Sequence, residues 1–280
     1  MMCPIPKHVL HRLIQAALDE DVGPGDMTTS SILAGDEVGK AQVLAKTQLI
    51  VAGMDIFKET FLFWDRDMVF TAQHEDGQMA KPGEVFAEFT GNLSRILMAE
   101  RVALNIFQRM CGIATLTKQY VDAVSGTKAK ILDTRKTVPG VRALDKYAVR
   151  IGGGFNHRFG LYDGILIKDN HIAAAKGITA AVSRTRRLIS HMVKIEIEVK
   201  NLAEVREALS CGVDAIMLDN MSLEDMKEAV LLVGNKVPLE ASGNVNFSNV
   251  KQIAASGVDF ISVGALTHSV KAADISLCII

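Results

Sequence analysis

Cations gather where two short apolar runs stop. The run Ile131-Leu132 ends at Asp133-Thr134-Arg135-Lys136, the run Gly164 to Ile167 ends at Lys168-Asp169-Asn170-His171, and Gly152-Gly153-Gly154 and Asn156-His157-Arg158 lie between them. A solitary basic residue is usually a solvated surface charge. Arg135, Lys136, His157, Arg158 and Lys168, however, share strand-end and glycine-loop positions of one stretch. The chemistry such a group supports is capture of a ligand with several carboxylates or phosphates, because guanidinium groups match planar oxyanions bidentately. The triple glycine suits a loop whose backbone must approach that ligand.

Glu198 and Asp219 each end a run that is otherwise apolar or alternating. Beside so many cations they can be plain ion-pair partners. At strand ends they also suit Mg²⁺, which takes few carboxylates together with substrate phosphates and water. Glu196 has the same strand parity as Glu198 and can share its task. Two further turns, Ser242-Gly243-Asn244 and Ser262-Val263-Gly264-Ala265 leading into Leu266-Thr267-His268, are built of small residues. After late strands of a barrel, such turns let backbone N–H groups at a helix N-terminus face a phosphate.

Residues this far apart meet only if parallel strands all point their carboxyl ends at one mouth. The sequence supplies that framework. Strand-like runs at Lys130–Asp133, Gly164–Lys168, Lys194–Val199, Ala215–Asp219, Val237–Ala241 and Phe260–Val263 alternate with helical segments such as Leu202–Ser210 and Ser222–Val233, which predicts a parallel α/β barrel. The phrases Gly212-Val213-Asp214-Ala215-Ile216 and Gly257-Val258-Asp259-Phe260-Ile261 echo one another as helix, turn and strand.

The N-terminal part has another rhythm. His8 to Asp19 is an amphipathic helix stopped by Gly23-Pro24-Gly25. Runs at Gly39–Ala45, Leu49–Ala52, Met68–Ala72 and Glu84–Phe89, with turns at Asp76-Gly77 and Lys81-Pro82-Gly83, predict a small antiparallel sheet. Leu93 to Val124 reads as one or two helices joining two domains, with Gly112 as a break.

Composition narrows the function classes. A formal net charge of −1 with 5% aromatic residues argues against a nucleic-acid or membrane-surface binder, so any anion site is local. Cys3, Cys111, Cys211 and Cys278 lie far apart with no zinc-ligand spacing, which fits a reducing compartment. With no export signal or long apolar run in sight, a cytoplasmic location is expected.

The chain resembles the quinolinate phosphoribosyltransferase family, also called nicotinate-nucleotide pyrophosphorylase (carboxylating). The resemblance runs from Glu20-Asp21-Val22-Gly23-Pro24-Gly25-Asp26 with Thr28-Thr29, through Ala99-Glu100-Arg101-Val102-Ala103-Leu104-Asn105 and the cationic segment Ile131–Ile172, to Ile216–Asn220, Leu239–Asn244 and Ile261–His268. It implies an N-terminal α/β sandwich domain over residues 1–112, joined by the C-terminal tail 270–280, and a catalytic α/β barrel with an incomplete set of strands over 113–269. It implies at least a homodimer. The reaction implied joins quinolinate to phosphoribosyl pyrophosphate, releasing pyrophosphate and CO₂ and giving nicotinate mononucleotide for NAD synthesis.

Carried over by position, Arg135, His157, Arg158 and Lys168 hold the carboxylates of quinolinate, and Arg101 reaches in from the neighbouring subunit. Lys136 contacts the phosphoribosyl donor. Glu198 and Asp219 face the ribose and its Mg²⁺, which arrives with the donor's pyrophosphate, and Ser242, Gly243, Asn244, Ser262, Gly264, Ala265 and His268 surround the 5′-phosphate. Where relatives carry an acid two residues after Glu198, this chain has Lys200, which weakens the metal assignment relative to the anion assignment. Met1 to Pro6 match nothing in the family. A related phosphoribosyltransferase with another acceptor and a non-catalytic sugar-phosphate-binding barrel remain the alternatives.

Overall fold

The computed structural model describes residues 5–280; Met1 to Pro4, including Cys3, lie outside them. The chain forms two compact units, one of residues up to Lys118 with 137–153 and 269–280, the other of 119–136 with 154–268. This differs from the domain limits expected from the sequence. The 112/113 boundary falls inside a continuous helix, and 137–153 groups with the first unit.

In the first unit, α1 (Lys7–Val22) buries Leu10, Ile14 and Leu18, the stripe its periodicity predicts, and ends at Gly23. Asp26 caps α2 (Met27–Ile32) by accepting the amide hydrogens of Thr28 and Thr29. The strands β1 (Val38–Ala45), β2 (Leu49–Ile50), β3 (Val69–Ala72), β4 (Met79–Ala80) and β5 (Val85–Asn92) follow. The antiparallel sheet predicted from the sequence is present, in the order Ile275–Ile279, β1, β5, β3, so the C-terminal strand pairs with β1; β2 and β4 make a separate pair.

The helix α3 (Met54–Trp64) has no counterpart in the sequence reading, because its start depends on a distant residue. Asp76 accepts the amide hydrogens of Gly53 and Met54 at 2.9 Å and the Tyr147 hydroxyl at 2.6 Å. Its Phe57 and Phe61 join Phe86, Phe89 and Phe107 in a buried cluster, with centroids 5.1 Å apart for Phe57–Phe61 and 4.6 Å for Phe61–Phe89. Each such pair adds about 0.5–1.5 kcal/mol beyond area burial. The helix α4 (Leu93–Ala123) runs unbroken for 31 residues, so Gly112 is not a break. A Cβ at that position would collide with the Lys271 carbonyl, so close backbone approach explains the glycine.

In the second unit, β6 (Lys130–Leu132), β7 (Ile165–Ile167), β8 (Ile195–Val199), β9 (Ala215–Asp219), β10 (Leu239–Ser242) and β11 (Phe260–Ser262) form one parallel sheet in the order β6-β11-β10-β9-β8-β7. All six predicted strands are present, and the sheet is the open, barrel-like one expected. β10 starts later than the sequence reading placed it, because Pro238 has no N–H to give the ladder. The Gly-Val-Asp echo also has a cause. Val213 and Val258 are buried, while Asp214 and Asp259 use their carboxylates to accept the first amide hydrogens of β8 (Ile195, 2.7 Å) and β10 (Leu239, 2.9 Å).

β6 and β7 do not pair. Phe155 instead forms a single parallel bridge with Leu132, its N–H donating to Ile131 and its carbonyl accepting from Asp133. The buried Asp133 then holds the next two residues, accepting from the Asn156 side chain at 2.6 Å and the His157 amide at 2.9 Å. No described helix is long and apolar enough to cross a membrane, and Cys111, Cys211 and Cys278 are not disulfide-bonded.

Replacing a glycine in a helix interior by alanine normally stabilises by about 1 kcal/mol. Gly112→Ala is expected to do the reverse, costing about 2 kcal/mol because the Lys271 backbone must shift. A thermal midpoint equal to or above that of the wild type would refute this packing account.

Candidate active site

The carboxyl ends of the parallel strands surround a cavity of about 690 Å³. It is lined by Arg135, Lys136, His157, Arg158, Lys168, Glu198, Asp219, Ser242, Gly243, Asn244, Ser262, Gly264, Ala265 and His268. Of the residues given a site role by the resemblance, Arg101 alone is absent from this lining, and it is exposed on α4; Glu196, noted for its strand parity, is absent too. The structure therefore brings together residues 133 positions apart in sequence, from Arg135 to His268, as strand-end geometry requires.

Lys168 follows β7 and sits against Glu198 of β8, with Nζ 2.5 Å from Oε2. Glu198 is nearly buried, so the plain ion-pair reading is realised for this acid. Asp219 ends β9 and accepts a hydrogen bond from Asn220 Nδ2 at 3.0 Å. The two carboxylates border one space and suit a hard cation that keeps water and phosphate oxygens as its other ligands. Lys200, the departure noted above, is half-exposed and pairs with Asp169 at 3.1 Å; it does not line the cavity. That hydrogen bond is the main reason its ammonium holds its proton more tightly than usual, with Asp219 and Glu198 adding smaller contributions.

Arg158 donates to the Gly164 carbonyl at 3.0 Å. Desolvation first, and then the Arg135 charge, push its pKa down from the usual arginine value, which marks a crowded cationic wall. Thr267, itself buried, donates to the Lys136 carbonyl at 2.8 Å and fixes the backbone from which that lysine extends.

The two phosphate turns differ from the helix N-termini expected of them. Ala265–His268 is a single turn, and Ser242-Gly243-Asn244 precedes a loop rather than a helix, the next helix starting at Val250. That loop is braced by side chains, with Asn246 and Asn249 donating to the Asn244 carbonyl at 3.1 and 3.0 Å and Asn244 donating to Asn220 at 2.9 Å. Asn220, Gly243 and Asn244 all have positive φ, and a Cβ on Gly243 would strike the Asn220 side chain. The triple glycine is likewise corrected. A Cβ on Gly152 would meet the Ala114 carbonyl and Thr117 of α4, so this glycine permits backbone packing, and none of the three lines the cavity.

Sequence reasoning passed over Asn220 and Glu240, both of which line the cavity. Asn220 follows a strand-end acid, which is a usable signal. Glu240 stands in an apolar run whose sheet register alone shows where it points, level with Met217 of β9 and Phe260 of β11. Burial and the neighbouring Glu196 raise its carboxyl pKa well above the ordinary range.

Residues 26–111 match the family model described as quinolinate phosphoribosyl transferase, N-terminal domain, and residues 113–278 match its C-terminal domain. The chain is 44% identical over 268 residues to a protein of Bacillus subtilis (strain 168) named probable nicotinate-nucleotide pyrophosphorylase [carboxylating], covering 96% of this chain and 92% of the relative. It is 45% identical over 291 residues to the chloroplastic nicotinate-nucleotide pyrophosphorylase [carboxylating] of Arabidopsis thaliana, covering 97% and 83%. A solved nicotinate-nucleotide pyrophosphorylase structure from Francisella tularensis superposes with a TM-score of 0.95 at 42% identity, covering 99% of this chain and 98% of that one.

Gly243→Ala forces a Cβ into a backbone conformation that costs L-residues roughly 1–2 kcal/mol, so inorganic phosphate affinity is expected to fall by about tenfold. Titration calorimetry on a variant with unchanged circular dichroism reads this, and wild-type affinity would contradict a phosphate role for the turn.

Proposed function

The chain belongs to the quinolinate phosphoribosyltransferase family, and on that premise we propose how its cavity performs the family's reaction. The enzyme is a decarboxylating pentosyltransferase: the nitrogen of quinolinate displaces pyrophosphate from the anomeric carbon of phosphoribosyl pyrophosphate, and loss of CO₂ gives nicotinate mononucleotide for NAD biosynthesis. The observation that carries the residue assignment is the cationic wall of Arg135, Lys136, Arg158 and Lys168 around one cavity that also presents carboxylates.

Arg135, His157, Arg158 and Lys168 are assigned to the carboxylates of quinolinate, where N–H donors match each carboxylate's oxygens. Lys136 is assigned to the phosphoribosyl donor. Ser242, Gly243, Asn244, Ser262, Gly264, Ala265 and His268 form the 5′-phosphate cradle. Glu198 and Asp219 face the ribose, and their carboxylates favour the positive charge that grows on the anomeric carbon as pyrophosphate departs, a stabilisation confined to the transition state. The same two acids are the donors that fit Mg²⁺, which when bound neutralises the leaving pyrophosphate.

Decarboxylation follows from the product's own electronics. Once ribosylated, the ring nitrogen is cationic and stabilises the carbanion left at the adjacent carbon, so no covalent nucleophile from the protein is needed. Excess positive charge before turnover is useful because both substrates are polyanions. Arg101, exposed on α4, is assigned to the cavity of a partner subunit, making the functional unit a dimer or larger. The dispersed cysteines support a cytoplasmic location.

Purified protein given phosphoribosyl pyrophosphate and Mg²⁺ should release CO₂ from quinolinate and leave nicotinate unreacted; equal use of both would sink the dicarboxylate assignment. Arg135→Ala is expected to lower kcat/KM for quinolinate by about 10²–10³ with the fold intact. A second test concerns the partner subunit. Arg101→Ala and Glu198→Ala proteins, each inactive alone, should regain part of the activity when their subunits exchange, and a dead mixture with proven exchange would exclude a shared site.

A further inference from the structure

The stretch between β10 and the helix that starts at Val250 is neither strand nor helix, yet it carries the turn assigned to the 5′-phosphate, and its Val245 and Asn246 also line the cavity. Its order comes from short-range bonds. Asn246 and Asn249 donate side-chain hydrogens to the Asn244 carbonyl, Asn249 Oδ1 accepts the Asn246 amide hydrogen at 2.9 Å, and Asn246 Oδ1 accepts the Ser248 amide hydrogen at 2.9 Å. Every partner in that set lies between positions 244 and 249. These bonds close the loop on itself and do not tie its tip to the rest of the unit.

The tip has another attachment. The Phe247 ring lies on the ring of Tyr120, in the last turn of α4, with centroids 4.0 Å apart and planes 20° from parallel. The two members are unequal: Tyr120 is buried and Phe247 is 48% exposed. A half-exposed phenylalanine has an ordinary reading as a cover over a buried neighbour. Near-parallel stacking does more than cover, because it fixes the height and tilt of the residue next to Asn246, which borders the cavity. A loop that its ligand must order loses conformational freedom at the moment of binding, and one ordered beforehand does not. Here the loop is held at its root, where Asn244 donates to Asn220 at 2.9 Å, and at its tip, by the stack.

We propose that Tyr120 and Phe247 are a positioning pair for the phosphate turn: their stack pins the loop tip, so that residues 243–246 stand in their binding arrangement before the donor substrate arrives. Neither ring lines the cavity, so the pair acts only through the loop. The proposal rests on the assignment of Ser242-Gly243-Asn244 to the 5′-phosphate.

The test uses the full-length enzyme and two readouts, hydrogen–deuterium exchange of the amides of residues 243–249 and steady-state kinetics. Phe247→Ala removes a half-exposed ring; exchange in the loop should quicken, and the KM for phosphoribosyl pyrophosphate should rise about fivefold, while kcat and the quinolinate KM stay near wild type. Tyr120→Leu should reproduce both effects, and the double variant should be no worse than either single one, since each removes the same stack. Tyr120→Phe and Phe247→Tyr keep the stacked rings and should retain wild-type exchange and KM values. Unchanged exchange in Phe247→Ala overturns the proposal, as do two KM values raised together or a lowered thermal midpoint with both KM values unmoved, the mark of a mere cover. Should Tyr120→Leu not fold, Phe247→Ala and the two conservative variants still decide. A loop that loosens without raising the donor's KM overturns the proposal too, and the phosphate affinity of Gly243→Ala then tells whether the assignment of the turn has fallen with it.

Discussion

Mutual repulsion among Arg135, Lys136, Arg158 and Lys168 is the constraint to which the barrel mouth answers, since all four line one cavity. Two like charges 4 Å apart near a protein surface repel by about 4 kcal/mol at an effective dielectric of 20. Part of that repulsion is met from below: Glu198 holds Lys168, and the Glu196 charge opposes the desolvation and Arg135 repulsion felt by Arg158. The remainder waits for anions from solution. A pocket so arranged binds polyanionic substrates by relieving its own strain, and it is preorganised because the charges are fixed before the ligand arrives.

Fixing them falls to a set of side chains that act by hydrogen bonds to the backbone and to one another. Asp214 and Asp259 accept the first amide hydrogens of β8 and β10, setting where those strands begin and hence which residues reach their ends. Asp133 grips Asn156 and the His157 amide, and Thr267 grips the carbonyl of Lys136. Asn220 ties the carboxylate of Asp219 to Asn244 on the neighbouring loop, so the acid assigned to the ribose and the turn assigned to phosphate are joined. Each tie is worth little alone, about 1 kcal/mol, but together they remove the freedom that would let like charges drift apart.

How much of this was legible depends on range. The six parallel strands could be read because each is a short apolar run closed by charge or a turn, and the site residues followed from where those runs stop. What could not be read depends on contacts distant in sequence. The helix α3 starts where it does because Asp76, more than twenty residues downstream, caps it. Gly112 looks like a helix breaker by propensity and is one of the closest-packed points of α4, since only the fold brings Lys271 against it. Glu240 in an apolar run signals something unusual, but the register of β10 and the position of the loop after Asp133 were needed to set it beside Glu196 and His157. Helix N-termini were expected at the turns assigned to phosphate; asparagine side chains and positive-φ backbone shape the Ser242-Gly243-Asn244 turn instead.

The ladder at the seam of the barrel has one rung. Where β6 and β7 leave a gap, Phe155 supplies a single rung of pairing, and the loop it anchors carries His157 and Arg158. Detaching that rung breaks two backbone hydrogen bonds and leaves the ladder of the six strands whole. The wall that carries His157 and Arg158 thus hangs on a zip with one tooth and on the grip of Asp133, and not on the sheet's own ladder.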